Sequence, residues 1–147
     1  MLFRSDEFGD RMDPGLVACI ESAQAYSASE YIEMRSAKHD YIAEIHALFE
    51  SIDILLTPAV SVAAFPAERL LPDHWPDHAW DWLSWAEFSY PFNFSGNPAA
   101  SVPAGFTDAG LPVGLQIVGR RLADSTVLQV AAAFETARPW GGHRPPL

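Results

Sequence analysis

Apolar residues recur at helical spacing in the first third of the chain. From Tyr31 to Ile52 they return at positions that share one side of a helix, which predicts a helix from Ala28 to Glu50 with one buried face. Ser27 and Glu30 precede this run at the spacing of a capping box, in which each side chain bonds the other residue's backbone N–H. The pattern therefore predicts a long, early helix.

Two further helices are predicted, one before the long helix and one near the end of the chain. The first begins at Asp13, a capping residue, followed by Pro14, which suits the first helical position, and it fades near Tyr26. The last begins with Asp124 as its cap and stops at Pro139. One face of this last helix carries Val127, Leu128, Ala131 and Phe134.

Short apolar runs predict three strands. The run from Ile52 to Pro58 does not alternate with polar residues, which predicts a strand covered on both sides. The runs from Ala99 to Phe106 and from Val113 to Val118 flank the turn sequence TDAGLP, so we expect them to pair as a hairpin. Prolines between positions 59 and 80 predict a long loop, and a short helix is expected from Asp81 to Phe88.

Composition indicates a folded protein and excludes several partner classes. Of 147 residues, 49% are hydrophobic and 19% are charged, and the formal net charge is −10. Arg120-Arg121 is the only adjacent basic pair, so we expect no nucleic-acid partner. One cysteine, Cys19, excludes an internal disulfide. With no recognisable secretory signal and no run of ~18 apolar residues, we expect a cytoplasmic protein that does not engage a membrane.

Two stretches invite a chemical interpretation, and both have a simpler structural one. Ser95 and Ser101 lie in YPFNFSGNPAASVPAGF, but neither occupies a G-x-S-x-G turn or has an evident base nearby. His74 and His78 belong to repeated Asp-His dipeptides that suit zinc or nickel, but Pro76 between them opposes a continuous helical turn. We predict no metal site and no cofactor, with independent chemistry at the His74/His78 loop as an alternative.

Longer motifs carry a family resemblance. FN.SGNPA.SVP.GF, GLPVGLQIVGRR.AD..VL..A..FE and RPW follow one another between Phe92 and Trp140, and they closely resemble the C-terminal end of the amidase signature family. DPGL at Asp13 and DILLTPAVSVAAFP at Asp53 resemble the segments that precede this end. The match is weakest from Glu68 to Asp81. The resemblance implies an α/β fold, an α+β fragment in which helices pack on a mixed sheet, with the whole chain forming a single partial domain.

The same resemblance implies amide hydrolysis, or transfer of the released ammonia, by a Ser, cis-Ser, Lys triad. In the family one serine lies in a Gly-Gly-Ser-Ser element whose backbone N–H groups also stabilise the oxyanion. This sequence contains no Ser-Ser dipeptide, and its single lysine, Lys38, lies in the predicted long helix. No catalytic residue is therefore assigned to the chain, and the triad is expected upstream of Met1.

For individual residues the resemblance implies mostly structural roles. Trp82, Trp85 and Phe88 are candidates for the wall of an acyl pocket, with core packing as the alternative. In glutamyl-tRNA amidotransferases, relatives within the family, an aspartate at the position of Ala86 holds glutamine; Glu87 is one place away, which disfavours that reaction here. Residues expected to shape the backbone are Asn93, Gly96, Pro98, Pro103, Gly105, Gly114 and Gln116.

Two functions are compatible with the sequence. The first is the C-terminal fragment of an amidase, inert alone, whose apolar surfaces are covered by self-association or by a missing N-terminal catalytic half. The second is a binding or assembly module that pairs with a separately encoded catalytic half or a small ligand. Restoration of activity by an N-terminal amidase segment would distinguish a split enzyme from an inert fragment.

Overall fold

The structure, a computed structural model, describes residues 5–69, 71–75 and 84–143. These residues divide into two units, one ending at His39 and the other beginning at Asp40. The mixture of helices with a sheet confirms the predicted α/β class. The helices are α1 (Ser5–Phe8), α2 (Pro14–Ala23), α3 (Ala28–Leu48), α4 (Tyr90–Ser95) and α5 (Asp124–Ala137); the strands are β1 (Ile54–Pro58), β2 (Ala99–Phe106) and β3 (Pro112–Gly119); 3-10 turns cover Gly9–Arg11 and Ser84–Ala86.

Side-chain caps begin both longer helices of the first unit, as the sequence predicts. Asp13 Oδ1 accepts the Leu16 N–H at 3.1 Å, and Pro14 is the first residue of α2. At the start of α3, Glu30 Oε2 accepts both the Ser27 N–H and the Ser27 hydroxyl at 2.7 Å, while the Glu30 N–H donates to Ser27 Oγ at 3.3 Å. These bonds satisfy N–H groups that a helix start otherwise leaves without partners.

The predicted buried face of α3 is wrong. Tyr31, Met34, Tyr41 and Leu48 are all exposed, and only Ile45 of the predicted face packs on a core cluster. The apolar positions form the expected stripe, but no described element covers most of it. No helix in the described ranges is long and apolar enough to cross a membrane.

The three strands form one antiparallel sheet in the order β1-β3-β2. The predicted hairpin of β2 and β3 is confirmed, and its turn is closed by the Gly110 N–H, which donates to the Thr107 carbonyl at 2.8 Å. The predicted cover on both sides of β1 is wrong: β1 is an edge strand, and its Leu56 side chain is 54% exposed. Its run of apolar residues is broken in burial because no described element covers Leu56.

Apolar clusters on the two faces of the sheet make up the core. Alternation along β3 sends Ile117 to one face and Val118 to the other, and both are 0% exposed. Val118 packs with Phe49 and Phe92, from the end of α3 and from α4. The opposite cluster, beneath α5, contains Val102, Ile117 and Val127, with Leu115, Val130 and Phe134 packed against them.

The boundaries of α5 agree with the sequence, but two of its predicted contacts do not form. Ala123 occupies the capping position and makes no side-chain cap, because Asp124 is already the first helical residue. There the Asp124 carboxylate faces the positive end of the helix dipole instead of bonding a free N–H. Leu128 is exposed, whereas Val127 beside it is buried. Beyond the helix, the Arg138 N–H donates to the Phe134 carbonyl at 2.8 Å.

We predict that Gly119→Ala destabilises the sheet. An added Cβ would lie 2.7 Å from Val127 Cγ2, closer than packed carbon atoms tolerate, so α5 would have to shift from β3. Overpacking of this kind costs about 1–3 kcal/mol. Urea unfolding measures the loss, and Gly141→Ala is the matched control because its Cβ would meet no atom within 4 Å. Equal unfolding free energies for the two variants would contradict the proposed close packing.

We also predict that the Glu30 carboxylate titrates below its ordinary range because of the capping box. The Ser27 hydroxyl and then the Ser27 N–H hold the pKa of Glu30 below its ordinary value of 4.5. A lowered folded-state pKa means that the cap stabilises α3 above this ordinary value and loses its effect as pH falls through the lowered one. Carboxyl ¹³C NMR titration should show a higher Glu30 pKa in Ser27→Ala and no change in Ser36→Ala. A Glu30 titration that ignores Ser27→Ala would refute the cap.

Candidate functional site

The segment that carries the proposed pocket wall is fastened to the loop after β1. The Ser61 N–H donates to the Trp85 carbonyl at 3.2 Å, and the Ser61 hydroxyl donates to Glu87 Oε1 at 2.7 Å. Phe65 meets Trp85 edge to face, with 5.5 Å between the ring centroids, a geometry that aromatic pairs favour. Trp85 is half-buried. These contacts hold its ring in one place, as either a pocket wall or a packed core would require.

Phe88 is tied to the central strand through Gln116. The buried Gln116 side chain donates from Nε2 to the Phe88 carbonyl at 3.0 Å and to Thr57 Oγ1 at 2.9 Å. An amide NH₂ has two donors, so both are used. Gln116 thus joins the segment before α4 to β1 and β3. Trp82, the third proposed wall residue, lies outside the described residues.

A second buried polar network lies where α4 meets the ends of β2 and β3. Asn97 Nδ2 donates to the Gly119 carbonyl at 2.7 Å, and the Ser95 hydroxyl donates to Asn97 Oδ1 at 2.5 Å. His46 Nε2 lies 3.0 Å from the Ser95 carbonyl, so the end of α3 joins the network. Ser95 and Asn97 are both buried. The network satisfies polar groups that would otherwise be costly to bury.

The sequence places backbone bonding by a side-chain amide at Asn93, whereas the structure shows it at Asn97. The Asn93 side chain is exposed on α4, and its backbone N–H makes an ordinary helical bond to the Ser89 carbonyl at 3.1 Å. Asn97 precedes Pro98, and an Asn-Pro dipeptide is a turn signal that separates the two asparagines. The Pro98 carbonyl in turn accepts the Gly119 N–H at 3.0 Å.

Glycines of the motif lie where a side chain would be obstructed or strained. A Cβ on Gly114 would lie 2.8 Å from Ala59 Cβ and 2.9 Å from Ser101 Oγ, so its absence lets three strands meet closely. Gly96 ends α4 with a φ of 68°, the left-handed conformation that suits glycine at a helix end. Gly105 has a φ of 143° and follows Pro103 across a shift in the register of β2.

The two serines of the motif have structural surroundings. The Ser95 hydroxyl proton points to Asn97 Oδ1, an amide oxygen that cannot serve as a general base. Ser101 faces Gln116 across β2 and β3 and lies beside Gly114. In this arrangement the serines support the sheet and the end of α4.

Charged groups near the predicted histidine pair are already engaged with each other. Arg69 forms a salt bridge with Asp73, and its hydrogen bond holds the pKa of the exposed Asp73 carboxyl below its ordinary value. The same bond raises the pKa of Arg69. His78 lies outside the described residues. Within the ranges that the structure describes, no three His, Cys, Asp or Glu side chains form a group that would hold a metal.

Comparison with known sequences gives a consistent result. The sequence model of the amidase family matches residues 2–128. An acylamidase of Rhodococcus erythropolis is 44% identical over 99 residues, which are 63% of this chain and 20% of that protein. The GatA-type component of the glutamyl-tRNA(Gln) amidotransferase of Geobacter metallireducens is 32% identical over 138 residues, which are 93% of this chain and 27% of that component. The chain thus spans under a third of these relatives.

Solved structures share the fold. A 6-aminohexanoate cyclic dimer hydrolase superposes on 92% of the chain with a TM-score of 0.79 and 26% identity, and the chain covers 30% of that enzyme. The corresponding component of the Thermotoga maritima glutamyl-tRNA(Gln) amidotransferase superposes on 95% of the chain with a TM-score of 0.68 and 29% identity, and 28% of it is covered.

We predict that Asn97→Ala destabilises the chain and that Asn93→Ala does not. The first change leaves the Gly119 carbonyl and the Ser95 hydroxyl without their partner, and an unsatisfied buried polar group costs about 1–3 kcal/mol. The second change removes an exposed amide from the same segment and is the matched control. Denaturant unfolding of both variants compares the two asparagines. Equal losses would show that Asn97 has no special role.

Proposed function

Because the chain belongs to the amidase signature family, we propose that it forms the C-terminal scaffold of an amide-hydrolysing enzyme and requires a catalytic portion for turnover. The extent of the structural match carries this proposal: almost all of the chain superposes on an enzyme of which it covers 30%. The parent reaction is hydrolysis of a carboxylic amide to an acid and ammonia or an amine. The implied Ser, cis-Ser, Lys triad would come from the catalytic portion.

The chemistry of the described residues supports a scaffold role. The Ser95 hydroxyl is engaged by Asn97, Gln116 uses both amide donors on β1 and the segment before α4, and Lys38 lies on α3. A serine hydrolase needs a hydroxyl within reach of a base together with donors for the oxyanion. Polar groups of this chain are instead directed at its own backbone, which suits a part that holds other residues in place.

Within such an enzyme, we assign Trp85 and Phe88 to the wall of the acyl pocket. Trp85 is fixed by its contact with Phe65 and by the bond from Ser61, and Phe88 is fixed through Gln116. A wall residue must keep its position when substrate binds, because misplacement of the reacting groups is costly. Fixed aromatic rings favour an apolar acyl or aryl group.

An amidase with an apolar substrate is favoured over glutamine-dependent amidation of tRNA. Ala86 carries no charge with which to hold a polar substrate, and the neighbouring Glu87 carboxylate accepts the Ser61 hydroxyl. Names of relatives cover both classes, since they include an acylamidase and an amidotransferase component. The Ser61–Glu87 bond gives Glu87 a role in fastening the wall segment.

Exposed apolar side chains on α3 favour a second candidate, an assembly module that pairs with a separately encoded catalytic half. Tyr31, Ile32 and Met34 are all exposed in the first unit, with Ile32 at 63%. Contiguous apolar surface of this kind is characteristic of association surfaces. Self-association would cover the same side chains in the absence of the catalytic portion.

We predict that the purified chain hydrolyses no simple amide and that a catalytic portion restores turnover. The test is co-expression with the Rhodococcus erythropolis acylamidase from which the region matching this chain has been removed, followed by an assay with an aryl amide. Activity should appear with the pair and with neither piece alone, because the pocket and the triad lie on different pieces.

A matched pair of variants separates assembly from non-specific effects. Asn93→Ala should support restored activity fully, whereas Asn97→Ala should lower it in proportion to the folded fraction. Turnover by the chain alone that is lost on changing one of its own residues would overturn the scaffold proposal. Restoration with a catalytic half found on a separate gene, but never within one polypeptide, would favour the assembly module.

A further inference from the structure

A cleft of about 270 Å³ lies between the end of β2 and the segment that follows α5. It belongs wholly to the second unit and is separate from the Trp85 wall segment and from the Gln116 network. Apolar and aromatic groups dominate its lining, with Phe106 on the strand side and Trp140 and His143 on the other; Arg138 supplies a charge. Concave sites with apolar walls and a few polar groups are characteristic of small-ligand binding.

The aromatic rings of this cleft are held in place. Phe106 is 53% exposed, and its ring centroid lies 5.2 Å from that of His143 with the ring planes tilted by 43°. His143 is fixed by its N–H, which donates to the Trp140 carbonyl at 2.9 Å. The Trp140 ring packs on Phe134 of α5, at 6.4 Å between centroids. An exposed phenylalanine beside fixed rings offers a stacking surface for another ring.

A β-bulge shapes the floor of the cleft. Pro103 pairs with Gly114 and Gly105 with Val113, so Ala104 is an extra residue without a partner in the ladder. Bulges leave the extra residue unpaired and redirect side chains, and they are common beside binding sites. Here the bulge precedes Phe106, and both Ala104 and Phe106 line the cleft.

Arg138 places a positive charge against this apolar surface. Among the described residues that line the cleft, none is Asp or Glu, although the chain as a whole has a formal net charge of −10. The local charge is therefore opposite in sign to that of the protein. A guanidinium group binds carboxylates through paired hydrogen bonds, and these are stronger beside groups that exclude water.

We propose that this cleft binds a small planar aromatic carboxylate, with its ring against Phe106 and Trp140 and its carboxylate on Arg138. The volume is near the lower end of the roughly 300–1,000 Å³ typical of ligand pockets, so it suits a single ring. The site is independent of the proposed amidase function, because no residue of the wall segment takes part.

Three probes of nearly equal size separate the interactions. Benzoate carries both the ring and the charge, benzamide keeps the ring without the charge, and cyclohexanecarboxylate keeps the charge without the aromatic ring. Titration of the ¹⁵N-labelled chain should shift the Trp140 indole N–H resonance and show saturation with benzoate. Benzamide should bind at least about tenfold more weakly, because a hydrogen bond to a charged group contributes about 1.5–3 kcal/mol. Cyclohexanecarboxylate should also bind more weakly than benzoate.

Variants test the residues. Arg138→Gln should weaken benzoate binding at least about tenfold and leave benzamide binding unchanged, since only the charged contact is lost. Arg121→Gln removes an equal charge outside the cleft and should change neither. Phe106→Leu should weaken both benzoate and benzamide. Thermal unfolding of each variant confirms that it is folded.

Several results would overturn the proposal. Equal binding of benzoate and benzamide would remove the role of the charge, and equal effects of Arg138→Gln and Arg121→Gln would show non-specific attraction. Absence of saturable benzoate binding would exclude the site altogether. Each readout is a binding measurement on the chain itself, so none depends on the outcome of the complementation experiment.

Discussion

Burial of β3 on both faces is the constraint on which the second unit depends. This strand pairs with β1 on one edge and β2 on the other, and its Ile117 and Val118 side chains point to opposite apolar clusters with no exposed surface. One cluster lies beneath α5, and the other is formed with the end of α3 and with α4. Without β3 neither cluster would keep its centre, because no other described strand contacts both.

The same strand also organises the polar contacts. Gln116, between β1 and β2, reaches the backbone before α4, and the carbonyl of Gly119, at the end of β3, accepts the amide of Asn97. Close packing requires glycine at Gly114 and Gly119, where a Cβ would collide with neighbouring atoms. Apolar side chains, amides and glycines along eight residues thus provide, respectively, the two core centres, the polar links and the space that the neighbouring elements need.

Local features of the fold were readable in the sequence, and features that depend on distant cover were not. The Asp13 and Ser27 caps, the β2–β3 hairpin and the end of α5 follow from residues a few positions apart. Periodicity found α3 but predicted a buried face that is largely exposed, because a stripe of apolar residues does not say what covers it. The helix α4 was missed because its six residues include a proline and lie in a stretch with strand character.

The site shows the same division between local and long-range information. The motif identified the segment that carries Asn97 and Gln116, but choosing between Asn93 and Asn97 requires knowing which side chain points at the end of β3. The Ser61–Glu87 bond joins residues too far apart in sequence for spacing to reveal, and neither has an unusual local context. Likewise, the cleft beside Arg138 brings together the end of β2 and the residues after α5, which share no motif.

Strand order has a kinetic consequence. The hairpin brings Phe106 opposite Pro112 across a short turn, whereas Pro58 meets Leu115 only after all the intervening chain has folded back. Entropy of loop closure rises with loop length, and hairpins form in about 1–10 μs, so β2 and β3 can pair long before β1 joins. During that interval one edge of β3 is open to any extended segment, including a strand from another molecule. The nascent sheet is thus most vulnerable to misassembly along the edge that β1 later occupies.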